Sequence, residues 1–259
     1  MASKSVDGHE EPALTGEEWT KVRHKGRRQP KADQHVTPSH HNNILTSQPQ
    51  SSFLSPSAIA SDHRHILEQW GTSTCCYQLR DLIASHTRRP VITQAICFGL
   101  GTFDPDDGSW EIKRRAHVQL AAFLYMVDQI QRGNPEAEQK IVCLFQEPLF
   151  NAADKEFIRS LGYEVVNSPG GFERVNPSSL VFGIHLYRDV YSRIIAKCCP
   201  AMFIGTPWDV WEDCHGLGSL DWPELKGLDA QCDKAEFPQD TGYTTFSSTM
   251  IHWRRPGET

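Results

Sequence analysis

The chain lacks a surplus of positive charge, a C-x-x-C pair, an apolar leader and any apolar run of membrane-spanning length. Each absence weakens a class of function. The formal net charge is −6, and neutralising a phosphate backbone needs an excess of Lys and Arg, so nucleic acid is not an expected partner. The 8 cysteines include the adjacent pairs Cys75-Cys76 and Cys198-Cys199, and neighbouring cysteines rarely bridge each other. With no apolar leader after Met1, the reading is reduced thiols in a protein of the cytoplasm or nucleus. The densest apolar stretch, Leu120 to Val127, lies inside an amphipathic helical pattern, so no membrane contact is expected.

Residues 1–61 are rich in Ser, Thr, Pro, His and Gln. Such a segment buries too little apolar area to offset its ordering entropy and is expected to be a disordered arm. Within it, Glu17-Glu18-Trp19-Thr20-Lys21-Val22 is an isolated acidic-aromatic island, and Lys21 to Arg28 is a basic cluster. These read either as a plain tail or as a docking peptide for protein partners followed by a nuclear import signal. The remaining residues 62–259 suffice for one domain, with a core at 90–206 and an extension at 207–259.

Val91 to Phe98 is a near-continuous apolar run that ends in Gly99-Leu100-Gly101. That is the pattern of a buried parallel strand feeding a glycine turn. Ser109 then caps a helix from Trp110 to about Arg132, whose apolar stripe is Ile112, Ala116, Leu120, Phe123, Leu124, Val127 and Ile130,. Upstream, two helices are expected between Asp62 and Ser85, broken at Gly71-Thr72-Ser73, with His63 and His65 in an exposed polar patch. Downstream, strands are expected at Ile141–Phe145, Tyr163–Val166, Leu180–Ile184 and Ala201–Gly205. A helix capped by Asn151 and Asp154 and a second at Leu186–Lys197 separate them, and Ser168-Pro169-Gly170-Gly171 reads as a loop. Past Thr206 the pattern weakens: Trp208–Trp211 suits a helical turn, Asp221–Gly242 has no period, and Thr244–Trp253 alternates like an edge strand. The fold class is therefore α/β, a Rossmann-like, doubly wound, mostly parallel sheet. About five parallel strands run in the order 3-2-1-4-5, with one C-terminal edge strand.

Gly99 and Gly101 stand where such a fold lets a nucleotide phosphate or S-adenosylmethionine approach backbone N–H groups. Asp104 occupies the place of the third glycine of the dinucleotide fingerprint, so the turn alone also explains the pair. Glu147, closing the second strand, stands where an acid holds a ribose in nucleotide-binding relatives of the fold. His185, directly after the fourth strand, is the candidate acid, base or ligand, or else a helix cap, and Arg188 on the next turn suits an anion. Cys199-Pro200 resembles a short thiolate haem element but also suits a helix stop. Cys214, His215 and Cys232 have no zinc spacing, and no metal is assigned.

The segments Cys97-Phe98-Gly99-Leu100-Gly101-Thr102-Phe103, Gln119-Leu120-Ala121, Gln146-Glu147-Pro148, Leu161-Gly162 and Phe182-Gly183-Ile184-His185 fall in the order and spacing of the SRR-like domain. The chain thus resembles the family of the plant "sensitivity to red light reduced" protein and its fungal and animal relatives, as a fungal-type member. The Glu-Glu-Trp-Thr-x-Val island resembles that family's approach to the domain. The chain departs from the family where Gln146-Glu147-Pro148 replaces Tyr-Asp-Pro, where Gly183-Ile184-His185-Leu186 replaces Met-Pro-His-Cys, and where Thr206 replaces Asn. The resemblance implies a regulatory protein of light and circadian signalling, haem biosynthesis or cytoskeletal stability, with no agreed reaction. An S-adenosylmethionine- or nucleotide-using transferase is one alternative. Another is an interaction module that recruits partners through its arm and through Trp208, Trp211 and Trp222.

Overall fold

The computed structural model describes residues 54–86, 90–133, 139–215 and 222–257. The acidic-aromatic island and the basic cluster lie outside them, as do the side chains of Cys214 and His215. The chain runs α1 (Pro56–Gly71), α2 (Thr74–Ser85), β1 (Gln94–Phe98), α3 (Trp110–Arg132), β2 (Val142–Gln146), α4 (Ala152–Ser160), β3 (Glu164–Val165), α5 (Gly170–Arg174), β4 (Ser179–Gly183), α6 (Arg188–Ile195), β5 (Met202–Gly205), α7 (Trp208–His215), α8 (Pro223–Gln231), β6 (Cys232–Glu236) and β7 (Met250–Arg254).

Successive side chains of a strand point to opposite faces, and here both faces are buried. On β1, Ala95 and Cys97 enter one core while Ile96 and Phe98 enter the other. Phe182 and Val181 on β4, and Ile204 and Phe203 on β5, divide in the same way. Helices α1 to α4 cover the first face, and α5, α6 and α8 contribute to the second. The doubly wound reading follows from this alternation.

Local signals set the best-defined helices. Ser109 accepts the Ile112 N–H at 3.4 Å to open α3, which carries Glu111 in its first turn and Arg132 in its last,. Asn151 and Asp154 form a reciprocal capping box on α4,.

The sheet has seven strands in the order β3-β2-β1-β4-β5-β7-β6. β1 to β5 are parallel in the expected order, and β7 pairs antiparallel with both β5 and β6. The late strand is therefore internal, and the edge belongs to β6. This second C-terminal strand falls in a stretch without sequence periodicity because only Cys232 of its five residues is buried. α8 escaped for the same reason, with Leu225 and Leu228 as its buried residues. α5 stands where a loop was expected. It is held by the Gly171 N–H donating to Gln146 Oε1 at 2.8 Å and by Phe172 stacked on Phe98. α1 starts at Pro56, six residues before the expected boundary. The consequence is a correction: His63 falls on the inward stripe with Ile59, Ile66 and Trp70 and is buried, not exposed.

Candidate functional site

The carboxyl ends of β1, β2, β4 and β5 form the edge where open α/β sheets bind ligands, and the order reverses between β1 and β4,. At the end of β1 the chain turns through Gly99 and Gly101, at φ of +67° and +81°, a region L side chains rarely adopt. Gly99 is constrained a second time. A Cβ there would lie 2.0 Å from Leu186 Cδ2, and one on Gly183 would lie 2.6 Å from Leu186 Cδ1. Phe98 and Gly183 are register partners on adjacent strands. The two glycines therefore floor a socket that Leu186 fills.

Two acids hold the turn from the β2 side. Glu147 Oε2 accepts the Gly101 N–H at 2.8 Å and Oε1 accepts the Leu149 N–H at 2.7 Å. The residue is 7% exposed. Burial pushes its carboxyl up from the ordinary range; the two backbone hydrogen bonds oppose the rise and the charge of Asp154 adds to it,. Asp154, fully buried, accepts from the Thr102 hydroxyl at 2.7 Å, the Asn151 N–H at 3.0 Å and the Phe103 N–H at 3.3 Å. Its carboxyl is likewise raised by burial against those hydrogen bonds. Asp104, in the third-glycine place, accepts the Leu54 N–H at 2.6 Å. It ties the chain ahead of α1 to the same turn.

His185 follows β4 with φ of +55°, an uncommon value for a residue with a Cβ,. Its Nε2 donates to the Ser247 carbonyl at 2.7 Å. That assignment leaves Nδ1 as the acceptor in the neutral ring. The structure thus brings Gly101 and Glu147 into contact and places His185 on the same edge, bonded instead to the segment before β7. Beneath it, the Tyr191 hydroxyl donates to the Gly183 carbonyl at 2.6 Å and accepts the Thr206 N–H at 3.1 Å. That fully buried group joins the ends of β4 and β5. The loops that leave this edge also present Leu149, 66% exposed and three residues past β2, and Tyr187, 77% exposed and four residues past β4.

Several side chains lie elsewhere. The Arg188 guanidinium sits 5.3 Å over the Trp222 ring. Trp208 and Trp222 are buried and Trp211 packs beside Trp222, so these three form part of the second core instead of a recruiting surface. Cys199-Pro200 precedes β5 at the opposite, amino edge. Among the described residues no cluster of three or more His, Cys, Asp or Glu side chains has the arrangement of a metal site. No helix among them is long and apolar enough to cross a membrane.

Sequence reasoning located Gly99, Gly101, Glu147 and His185 from strand ends. It missed Leu186, Asp154 and Tyr191, whose roles depend on contacts between distant segments. The capping box was the one signal that placed Asp154 at all, and it gave no hint that the same carboxylate reaches Thr102.

No curated protein matches the chain. Among solved structures, the plantazolicin methyltransferase BpumL in complex with SAH is similar over 81% of this chain and 92% of that one, at 9% identity and a TM-score of 0.33. Likeness of that degree carries no argument about chemistry. The family comparison is specific: residues 67–253, from the middle of α1 to β7, match the SRR1 domain, and the chain belongs to the SRR1-domain family.

Proposed function

We propose that this SRR1-domain chain is an intracellular regulatory protein that senses a small ligand of the nucleotide or S-adenosylmethionine class at the β1–β4 switch point, with no reaction assigned to it. The observation that supports it is the Leu186 plug. Leu186 fills the socket floored by Gly99 and Gly183, next to a turn whose backbone is held by Glu147. A ligand approaching that turn displaces Leu186, and because His185 adjoins it and is latched to Ser247, displacement loosens the segment leading into β7. Binding is thereby converted into a change at the surface, which suits a regulator. The processes implied by the SRR-like resemblance, in light and circadian signalling, haem biosynthesis or cytoskeletal stability, are where such a signal would be read.

The test is a thermal-shift panel of ATP, NAD, S-adenosylmethionine, S-adenosylhomocysteine and haem, run on the wild type, Leu186→Ala and Glu147→Ala. A ligand at a hundredfold excess over its Kd stabilises by about 3 kcal/mol. A nucleotide-type ligand should raise Tm, more strongly in Leu186→Ala because no plug must be displaced, and less in Glu147→Ala. No shift with any ligand, or an equal shift in all three proteins, overturns the reading.

A further inference from the structure

At the amino edge of the sheet, remote in the fold from the glycine turn, the chain leaving α6 and one side of α8, from Pro223 to Gln231, border an open cavity of about 270 Å³. Cys198, Cys199, Glu224 and Gln231 are among its lining residues. Cys199 and Cys198 are half-buried there, whereas Cys75, Cys76, Cys97 and Cys143 are buried in the first core. Behind the lining lies Cys232, the first residue of β6, with its Sγ 4.0 Å from that of Cys199. The convergence has a structural cause. Cys232 is the register partner of Arg254 on β7, and Arg254 Nη1 donates to the Cys199 carbonyl at 2.9 Å. Two segments separated by β7 are thereby gathered around one arginine.

We propose that Cys199 and Cys232 form a thiol–disulfide redox pair that is oxidised by a low-molecular-weight disulfide entering this cavity. The thiolate of Cys199 attacks one sulfur of the small disulfide, whose S–S bond breaks and releases one small thiol, leaving a mixed disulfide on Cys199. The sulfur of Cys232 then gives up its proton and attacks Cys199 Sγ, displacing the second small thiol. Two protein thiols are oxidised by two electrons and one small disulfide is reduced to two thiols. The two protons lost by the protein end on those thiols. Closing the pair needs the sulfurs to approach from 4.0 Å to about 2.05 Å, a side-chain rotation in scale,. The resulting bond ties the edge strand β6 to the entry of β5 across the end of β7.

The order of events has a physical basis. In the reduced pair, the hydrogen bond with Cys199 and then burial push the Cys232 thiol far up, so Cys232 keeps its proton,. Capping Cys199 removes that thiol partner and its charge, and Cys232 is then free to act on the sulfur beside it.

Reduced full-length protein incubated with glutathione disulfide, quenched in acid and mapped by peptide mass spectrometry tests the proposal. The expected product is a Cys199–Cys232 disulfide without retained glutathione, in the wild type and in Cys198→Ser alike. Cys232→Ser should trap glutathione on Cys199, and Cys232→Ala, which suits the buried position better, should give the same trapped adduct. Cys199→Ser should abolish the cross-link. A mixed disulfide that persists in the wild type, a Cys198–Cys199 product, or a cross-link formed only in denaturant overturns it. None of these readouts involves the carboxyl edge, so failure here leaves the proposed ligand site untouched.

Discussion

Leu186 occupies the space that a side chain on Gly99 would claim, its Cδ2 lying 2.0 Å from the position of that missing Cβ. Gly99→Ala therefore introduces a clash and places an L residue at φ of +67°. The expected loss of stability is about 2–4 kcal/mol by urea unfolding. Adding Leu186→Ala should relieve the clash but not the strain. The double variant should be more stable than the sum of the two single losses implies, and strict additivity would show that the two side chains do not share the socket.

Glu147 satisfies two backbone donors at once. Glu147→Ala leaves the N–H groups of Gly101 and Leu149 to find water at the surface, with an expected cost of about 1–3 kcal/mol. Glu147→Gln should cost less. It keeps one acceptor and removes a carboxylate whose ionisation burial opposes, although its amide group faces the second N–H,. Hydrogen exchange at Gly101 is the sharper readout, and it should quicken in the alanine variant before global unfolding does.

His63 and His117 stack with ring centroids 5.4 Å apart and Nδ1 atoms 3.3 Å apart. Burial lowers His63 to about 4. His117 is lowered to about 3, by burial first and then by the nearby His63 and Lys113. Both rings are neutral when folded and take up protons more readily when unfolded, near pH 6.5. Their contribution to stability is accordingly present above about pH 6.5 and is lost as the pH falls from there toward 4 and then 3. The His63 shift alone corresponds to about 3 kcal/mol across that window,. In His63→Leu/His117→Phe the fall of Tm between pH 7 and 4 should be visibly shallower than in the wild type, and parallel profiles would show that the pair does not titrate as its burial requires.

Arg114 meets Asp240 in a forked ion pair at 2.5 and 3.1 Å, and the same aspartate accepts from the Thr245 hydroxyl at 2.8 Å. Both side chains are largely removed from water, so deleting one strands the other,. Arg114→Met and Asp240→Asn should each cost about 3 kcal/mol. The double variant should cost clearly less than their sum in a denaturation cycle. The pair joins α3 to the segment before β7, so loss of either side chain should also raise protease sensitivity near Tyr243, on whose ring Arg114 lies.

What could be read from the sequence follows from how local each signal is. α3 is announced by its cap and stripe, and the capping box of α4 lies within four consecutive residues. The parallel core was legible because β1, β4 and β5 carry the unbroken apolar runs Ala95–Phe98, Leu180–Phe182 and Met202–Ile204. The burial of His63 is not legible locally because its stripe partner Ile59 lies within the polar stretch of residues 1–61, where no helical period is evident. β6 and the insertion of β7 beside β5 escaped because a half-exposed charged strand carries little apolar pattern and strand order depends on distant pairings. At the candidate site, Glu147 was found by its position, while its bond to Gly101 and the Leu186 socket exist only after β1, β2 and β4 assemble.

The two rims of the sheet have a bearing on behaviour in concentrated solution. One rim is β3, only two residues long, and the other is β6, which carries Asp233, Lys234 and Glu236 among its five residues. A strand from another molecule seeking to extend the sheet meets either too few backbone groups or a row of charges that must be desolvated. The architecture thus resists sheet-to-sheet polymerisation and amyloid-like stacking, even though the strands between those rims are among the most apolar segments of the chain.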